Sequence, residues 1–254
     1  MYFCIMKSVV SKKYDPEKVL ALIENFKNSG EVLSSGRNEI RLFDLDGKIL
    51  NVKSFKVPNF INKITYKYFR KSKAQRSYGY ANVLKDKKIG TPEPIAFFEN
   101  SEGNTFQESY YVCEHLDADL TFRELVSNPN FPDHEEILRA FTRFTFKLHE
   151  ENIEFLDHSP GNTLIKKNGG HYDFYLVDLN RMNFKEMTFL ERMNNFSRLT
   201  PKKEMVVIMA NEYAKFVNKP EEEVFGKMWF LTQQFQERFH REKRWKKKLK
   251  FWKN

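Results

Sequence analysis

The sequence predicts an α+β chain whose first half is a small, mostly antiparallel β region with one long helix and whose second half is mainly helical. Three observations carry this. Strand-length runs rich in β-branched and aromatic residues recur between turn-forming clusters in the first 115 residues and again at residues 163–177. Ile137, Phe141, Phe144 and Leu148 recur at helical spacing on one face. With 41% hydrophobic residues over 254 positions, the chain can bury a sizeable core.

In chain order, Asp15-Pro16 opens a helix to about residue 27 with Leu20, Ile23 and Phe26 along one side, read as an N-terminal addition. EIRLF (39–43) and KILNVKSFKV (48–57) flank Asp44-Leu45-Asp46-Gly47, a hairpin signal, and place Lys53 in the second strand. Residues 64–87 read as one long helix closed by Ile89-Gly90-Thr91-Pro92. Its Lys67, Arg70, Lys71, Lys73 and Arg76 form either a solvated face or a surface for phosphates or carboxylates. Strands follow at 95–98 and 109–114. Thr121-x-x-Glu124 has the form of a capping box, and Pro132-Asp133-x-x-Glu136 starts a longer helix that ends near His149. Helices are then expected near 191–199, 201–217 and 221–250, with Pro201, Pro220 and the acids Glu221–Glu223 suiting first turns.

The chemistry gathers between Leu148 and Phe184. Asp157 and Asn162 lie on a loop bent at Pro160-Gly161. Two short strands (163–165 and 172–177) joined at Asn168-Gly169-Gly170 then return the chain so that Asp178 leaves the second strand beside that loop. One carboxylate near an acceptor hydroxyl, with an Asn and a second carboxylate as hard oxygen ligands for Mg²⁺, is what phosphoryl transfer needs. A single Asp in such a place is ordinarily a turn or cap residue; the three together, with two strands between, are less easily explained that way.

The order Leu148-His149, Ile153, Asp157-x-x-x-x-Asn162, strand, turn, strand, Asp178-Leu179-Asn180 resembles the catalytic and metal loops of the protein-kinase-like superfamily. VDLNRMNF, with Arg181 after Asp178, resembles most the lipopolysaccharide kinase (Kdo/WaaP) family, over about residues 32–215. The resemblance implies a two-lobed kinase-like domain with an N-lobe at about 30–115 and a C-lobe at 116–240, followed by a basic amphipathic tail at 241–254 that the charge distribution marks out. It implies ATP and Mg²⁺ as cofactors, Asp157 and Lys53 as catalytic residues, Asn162 and Asp178 as metal ligands, and Gly36, Lys53 and the backbone at Glu114 as nucleotide contacts. His149 is expected as a buried, hydrogen-bonded support rather than a base.

The chain also departs from the kinase pattern. SSGRN offers one glycine where a phosphate-cradling loop has several. Ser77 stands where a helix glutamate would hold the strand lysine, so either the register differs or Lys53 finds another partner, with Asp178 as the alternative. Phe155-Leu156 replace the His-Arg that precedes the catalytic Asp of protein kinases, and no Ala-Pro-Glu follows. Asn180 stands in the place of a glycine, a substitution compatible with left-handed backbone.

Net charge is +9, but residues 241–254 hold eight Lys/Arg against one Glu, a balance of +7 that leaves +2 for the first 240. Trp245, Leu249 and Trp252 fall at i, i+4 and i+7, the pattern of a helix lying in an anionic membrane surface, or else of a helix end packed on the domain. Nucleic acid is not an expected partner. Only Cys4 and Cys113 occur, in no metal-ligand spacing. The opening is too short and interrupted for a signal peptide, and no run of about 18 apolar residues is present. The expected protein is therefore cytoplasmic and peripheral on the inner face of the membrane. It would act as an ATP-dependent kinase on a hydroxyl of a lipid-linked inner-core sugar, Kdo or heptose. The alternatives are a kinase-like enzyme for a small molecule or protein, and an inactive kinase-like scaffold.

Overall fold

The computed structural model of the chain describes residues 5–36, 38–55, 71–102 and 105–251. Asp46 and Gly47, at φ 54° and 80°, close the first hairpin as a two-residue turn. Positive φ at both positions gives a twist that matches the flanking strands. The hairpin belongs to a six-stranded antiparallel sheet of β1 (Ile5–Val10), β2 (Glu31–Ser34), β3 (Glu39–Leu45), β4 (Lys48–Phe55), β5 (Pro94–Glu102) and β6 (Thr105–Glu114). Their spatial order is β1-β5-β6-β4-β3-β2.

Chain contacts divide the molecule into two units, and this sheet is the body of the first, which takes the described residues up to Asp117 together with Asp178–Asn180. Alternation along the strands gives the sheet two distinct faces. Leu50, Val52, Ala96, Phe98, Tyr110 and Val112 form a core with Val19, Ile23 and Phe26, from and just beyond helix α1 (Pro16–Glu24). Residues 5–30, expected as an N-terminal addition, are therefore built into the sheet and its core. β1 pairs with β5 in the register Val9↔Phe97, a pairing fixed by residues almost ninety positions away.

On the other face, Tyr78 of α2 (Lys73–Asp86) meets Phe97 with ring centroids 5.6 Å apart. Ala74, Ser77, Ala81 and Leu84 are the buried residues of α2, and the small side chains of the first three let the helix lie close to the strands. The helix expected over 64–87 is not continuous: Lys71 and Ser72 are not helical, and residues 64–70 lie outside the described residues. Ser72 is extended (ψ 167°) and caps α2, its Oγ accepting from the Gln75 N–H, so the helix starts at Lys73. Lys67 and Arg70, expected on its basic face, lie outside the described residues.

The second unit holds residues 118–177 and 181–251 of the described chain. Its helices are α3 (Phe122–Ser127), α4 (His134–Glu150), α5 (Phe189–Asn195), α6 (Lys203–Ala214) and α7 (Glu221–Phe251). β7 (Leu120–Thr121), β9 (Thr163–Asn168) and β10 (His171–Leu176) form one small sheet, and β8 (Ile153–Phe155) with β11 (Met182–Phe184) another. The capping box at Thr121/Glu124 forms as expected, and Thr188/Glu191 makes a second one. Asp133 stands at the start of α4 without capping it. At φ 58° its carboxylate accepts instead from Lys167 Nζ (2.9 Å) and Tyr172 O–H (2.6 Å).

Along α4 the buried stripe Ile137, Leu138, Phe141, Thr142, Thr145, Leu148, His149 recurs at three and four residues. Phe141 is fully buried, with its ring centroid 4.5 Å from that of Phe122 and 5.6 Å from that of Phe174. Burying it contributes roughly 2–3 kcal/mol. This helix fixes the position from which the loop at residues 156–162 departs.

Candidate active site

β4 sends Leu50 and Val52 into the core beneath α1, so Lys53 falls on the opposite face, directly across from Tyr111 on β6. Its Nζ lies 5.3 Å from the centre of the Phe55 ring and donates to Asp178 Oδ1 at 2.6 Å. Asn180 Nδ2 donates to the same oxygen at 2.7 Å. Lys53 is thus held by Asp178, and Ser77, at the position where a helix acid was sought, is buried. With Oδ1 shared between two donors, Oδ2 of Asp178 has no partner among the described residues.

The left-handed residue of this segment is Asp178 itself (φ 59°), not Asn180. A non-glycine residue held there costs of order 1–3 kcal/mol, and such strain concentrates at functional sites. Aspartate is among the residues that tolerate the conformation best, because its short side chain bonds locally.

In the second unit, β8 pairs antiparallel with β11, Phe155 facing Met182, and the ladder continues as Leu156 N–H donates to Arg181 O at 3.1 Å. That register brings Arg181 to Asp157: its Nη1 donates to Asp157 Oδ1 at 3.0 Å, and Arg198 Nη1 reaches the same oxygen, also at 3.0 Å. Arg198 Nη1 also donates to Leu156 O at 2.7 Å, fixing the backbone before Asp157. Oδ2 of Asp157 has no partner among the described residues. The loop then forms a turn of 3₁₀ helix at Pro160–Asn162. Asn162 Nδ2 donates to Asp157 O at 2.8 Å, and Asn162 O accepts from Val177 N–H at 3.0 Å, tying the loop to the end of β10. The amide nitrogen being engaged, the Asn162 side-chain oxygen remains as a hard donor.

The floor under this loop is a polar cluster buried in the second unit. Asn195 Nδ2 donates to Phe155 O (2.9 Å), so its Oδ1 faces two imidazoles, His149 Nε2 and His158 Nδ1, each at 3.3 Å. Both rings therefore donate there, and His149 Nδ1 accepts from Tyr213 O–H at 2.8 Å. Burial pushes His149 down to about 3 and His158 down to about 4. His149 is thus a neutral, hydrogen-bonded support. Arg198, His158 and Asn195 escaped the sequence reading, since each acts on residues roughly 37 to 46 positions away unless, like His158, it adjoins Asp157.

The remaining expected site residues are placed as follows. Gly36 is exposed just beyond β2 with open space around it. Glu114 ends β6; its carboxylate pairs with Lys48 at 2.9 Å and accepts from Tyr14 O–H. Its N–H donates to Glu93 O (2.9 Å), and the next, of His115, to Ile49 O (2.8 Å), so neither donor is left for a ligand.

The family model for the lipopolysaccharide kinase (Kdo/WaaP) family matches residues 56–220, well over half of the sequence. The chain belongs to that family. It is accordingly a kinase, a phosphotransferase with a hydroxyl acceptor, of lipopolysaccharide synthesis. Among solved structures it resembles one described as WaaP in complex with acyl carrier protein. The TM-score is 0.63 at 13% identity, covering 91% of this chain and 98% of that one, a likeness of fold. The expected kinase-like α+β fold is thus the observed one. No curated protein matches in sequence.

Among the described residues no group of three or more His, Cys, Asp or Glu could hold a metal ion, and no helix is long and apolar enough to cross a membrane. A Mg²⁺ site needs less than such a cluster. One or two protein oxygens plus phosphates and water satisfy it, and the free oxygens of Asn162 and Asp178 have the right chemistry.

Proposed function

We propose that this kinase transfers the γ-phosphoryl group of ATP to a hydroxyl of an inner-core sugar, Kdo or heptose, carried on a lipid. The observation that best supports the reading is the Lys53–Asp178 pair at 2.6 Å, a strand lysine and the aspartate that follows β10, in a chain of this family. Lys53 would meet the nucleotide phosphates, and backbone groups near Glu114 other than the two engaged N–H donors would meet the base; Gly36 stays as a minor contact of the phosphate loop. Asn162 and Asp178 would hold Mg²⁺, which would supply positive charge to offset that of the phosphates. Asp157, its Oδ1 oriented by Arg181 and Arg198, would accept the acceptor's proton at Oδ2 as the hydroxyl oxygen attacks the γ-phosphorus.

The acceptor's lipid also gives the basic end of α7 a use. Residues 241–251 continue the helix, with Trp245 64% exposed, and such an end suits an anionic membrane at the cytoplasmic face. That the WaaP structure was determined with an acyl carrier protein fits a lipid-linked substrate in this fold.

The test is ADP release by the full chain with Mg²⁺-ATP and a Kdo-bearing lipid A acceptor, beside Asp157→Ala. Acceptor-stimulated turnover lost in the variant supports the reading. Equal turnover in both proteins removes Asp157 from the mechanism, and nucleotide binding without turnover removes this acceptor.

A further inference from the structure

A cavity of about 630 Å³ opens in the second unit beside Asp157, where β8 and the segment after α5 meet α7. Leu156, Arg181, Arg198, Phe235, Arg238 and Phe239 line it. Two of its three arginines are the ones bound to Asp157, and each uses a single nitrogen, Nη1, for that contact. Nη2 of both has no partner among the described residues, so each guanidinium has donors left over. Arg198 is further fixed in place by the Phe235 ring, 5.5 Å from its Cζ, and its Nε is buried without a partner among the described residues. Arg238 makes no ion pair among them.

Two acids also border the cavity, and neither pairs with its arginines among the described residues. Glu154 accepts from Asn183 Nδ2 (2.7 Å) and lies 3.9 Å from Lys185 Nζ; Glu242 lies 3.6 Å from Lys246 Nζ. The unused Nη2 donors of Arg181 and Arg198 and the guanidinium of Arg238 are therefore left for an anion next to the proposed base. Forked donors of this kind match a carboxylate or phosphate, and the Phe235 and Phe239 rings supply the apolar wall found in most small-molecule sites.

We propose that this cavity binds the anionic group, carboxylate or phosphate, of the acceptor sugar, with Arg238 determining specificity and Arg181 and Arg198 linking the anion to Asp157. This rests on the kinase reading above for its account of what the acceptor is, but binding does not require turnover. An anion seated there would order the two arginines and so set the direction of Asp157, coupling recognition of an acidic sugar to alignment of its hydroxyl.

The experiment is calorimetric or NMR titration of the full chain with two pairs of probes: Kdo against its carboxamide, and a hexose 6-phosphate against the hexose. Wild type is compared with Arg238→Gln and Arg238→Lys. Arg238 is exposed, so its substitution leaves the melting temperature unchanged. At least ten-fold tighter binding of one charged member, falling to within two-fold of its neutral counterpart in Arg238→Gln and partly restored in Arg238→Lys, supports the subsite. Which pair responds tells carboxylate from phosphate. Charged and neutral probes binding alike, no binding of either charged probe at tens of millimolar, or a preference that survives Arg238→Gln overturns it. Charge-selective binding in a protein that shows no acceptor-stimulated ADP release would keep the subsite and remove the proposed acceptor; turnover without that selectivity would remove the subsite alone.

Discussion

In the first unit Tyr110, Tyr111 and Cys113 are buried on β6 as neutral acids, burial pushing the tyrosines well up and the thiol up to about 12. In the second, His149 and His158 are buried as neutral bases, pushed down to about 3 and 4. Both arrangements avoid an uncompensated charge in the interior, yet they expose the units to opposite ends of the pH scale. The proposed catalytic groups differ in the same way. Lys53 is a cation only 14% exposed and held by one carboxylate, whereas Asp157 is a carboxylate 18% exposed and held by two half-exposed guanidiniums. Losing the partner strands a buried cation in the first unit, but leaves arginines that water can reach in the second.

The largest expected effect is on activity. Asp157→Ala should lower acceptor-stimulated turnover by about 10²–10⁴-fold, the range for a general base, while denaturant midpoints show stability within about 1 kcal/mol of wild type. A comparable loss of stability would show Asp157 to be structural first. Next is acid pH. The histidines have lower pKa values folded than unfolded, so the unfolded chain binds more protons as pH falls below about 6.5, and their contribution, full above that pH, is progressively lost. Urea unfolding should show about 3 kcal/mol less stability at pH 5.5 than at pH 8, with roughly half of the difference removed in His158→Phe.

The sign reverses for the acids of the first unit. Their folded pKa values are raised, so their contribution is full below about pH 9 and lost as pH rises. Tyr213, raised to about 12, adds one such group to the second unit. Thermal melts from pH 8 to pH 10.5 should fall, and Cys113→Ala should flatten that fall. A smaller effect is expected of Asp178→Ala, about 1–2 kcal/mol of stability, because Lys53 loses its partner and alanine tolerates the left-handed backbone less well than aspartate. Smallest for the folded protein is removal of residues 241–254. The melting temperature should stay put, while sedimentation with vesicles containing anionic lipid drops by at least ten-fold; retained binding would move the membrane contact elsewhere.

What was legible in the sequence was local. The turn at Asp46-Gly47, the Thr121/Glu124 box and the α4 stripe each depend on residues within a few positions of one another, and each formed where expected. What escaped was set at long range. β1 becomes a strand because β5 offers it an edge, and nothing within residues 1–10 announces that. Of the helix expected over 64–87, the described part begins at a serine cap, Ser72, which a run of lysines and arginines concealed. At the candidate site, Asp157, Asn162 and Asp178 could be named from their spacing, but not Arg198, which reaches Asp157 across 41 residues because α5 and the turn after it fold back under β8.

β1 also has a consequence for how the molecule stays apart from its copies. One margin of the large sheet, β2, is four residues long with every residue exposed, and it opens on a glutamate, features that discourage a second chain from joining. β5 has no such protection of its own: it is nine residues long and apolar at Ile95, Ala96, Phe97 and Phe98. β1 covers it, so the N-terminal strand keeps that apolar edge paired. Trimming it back to Ser11 would turn a paired strand into an open template for aggregation.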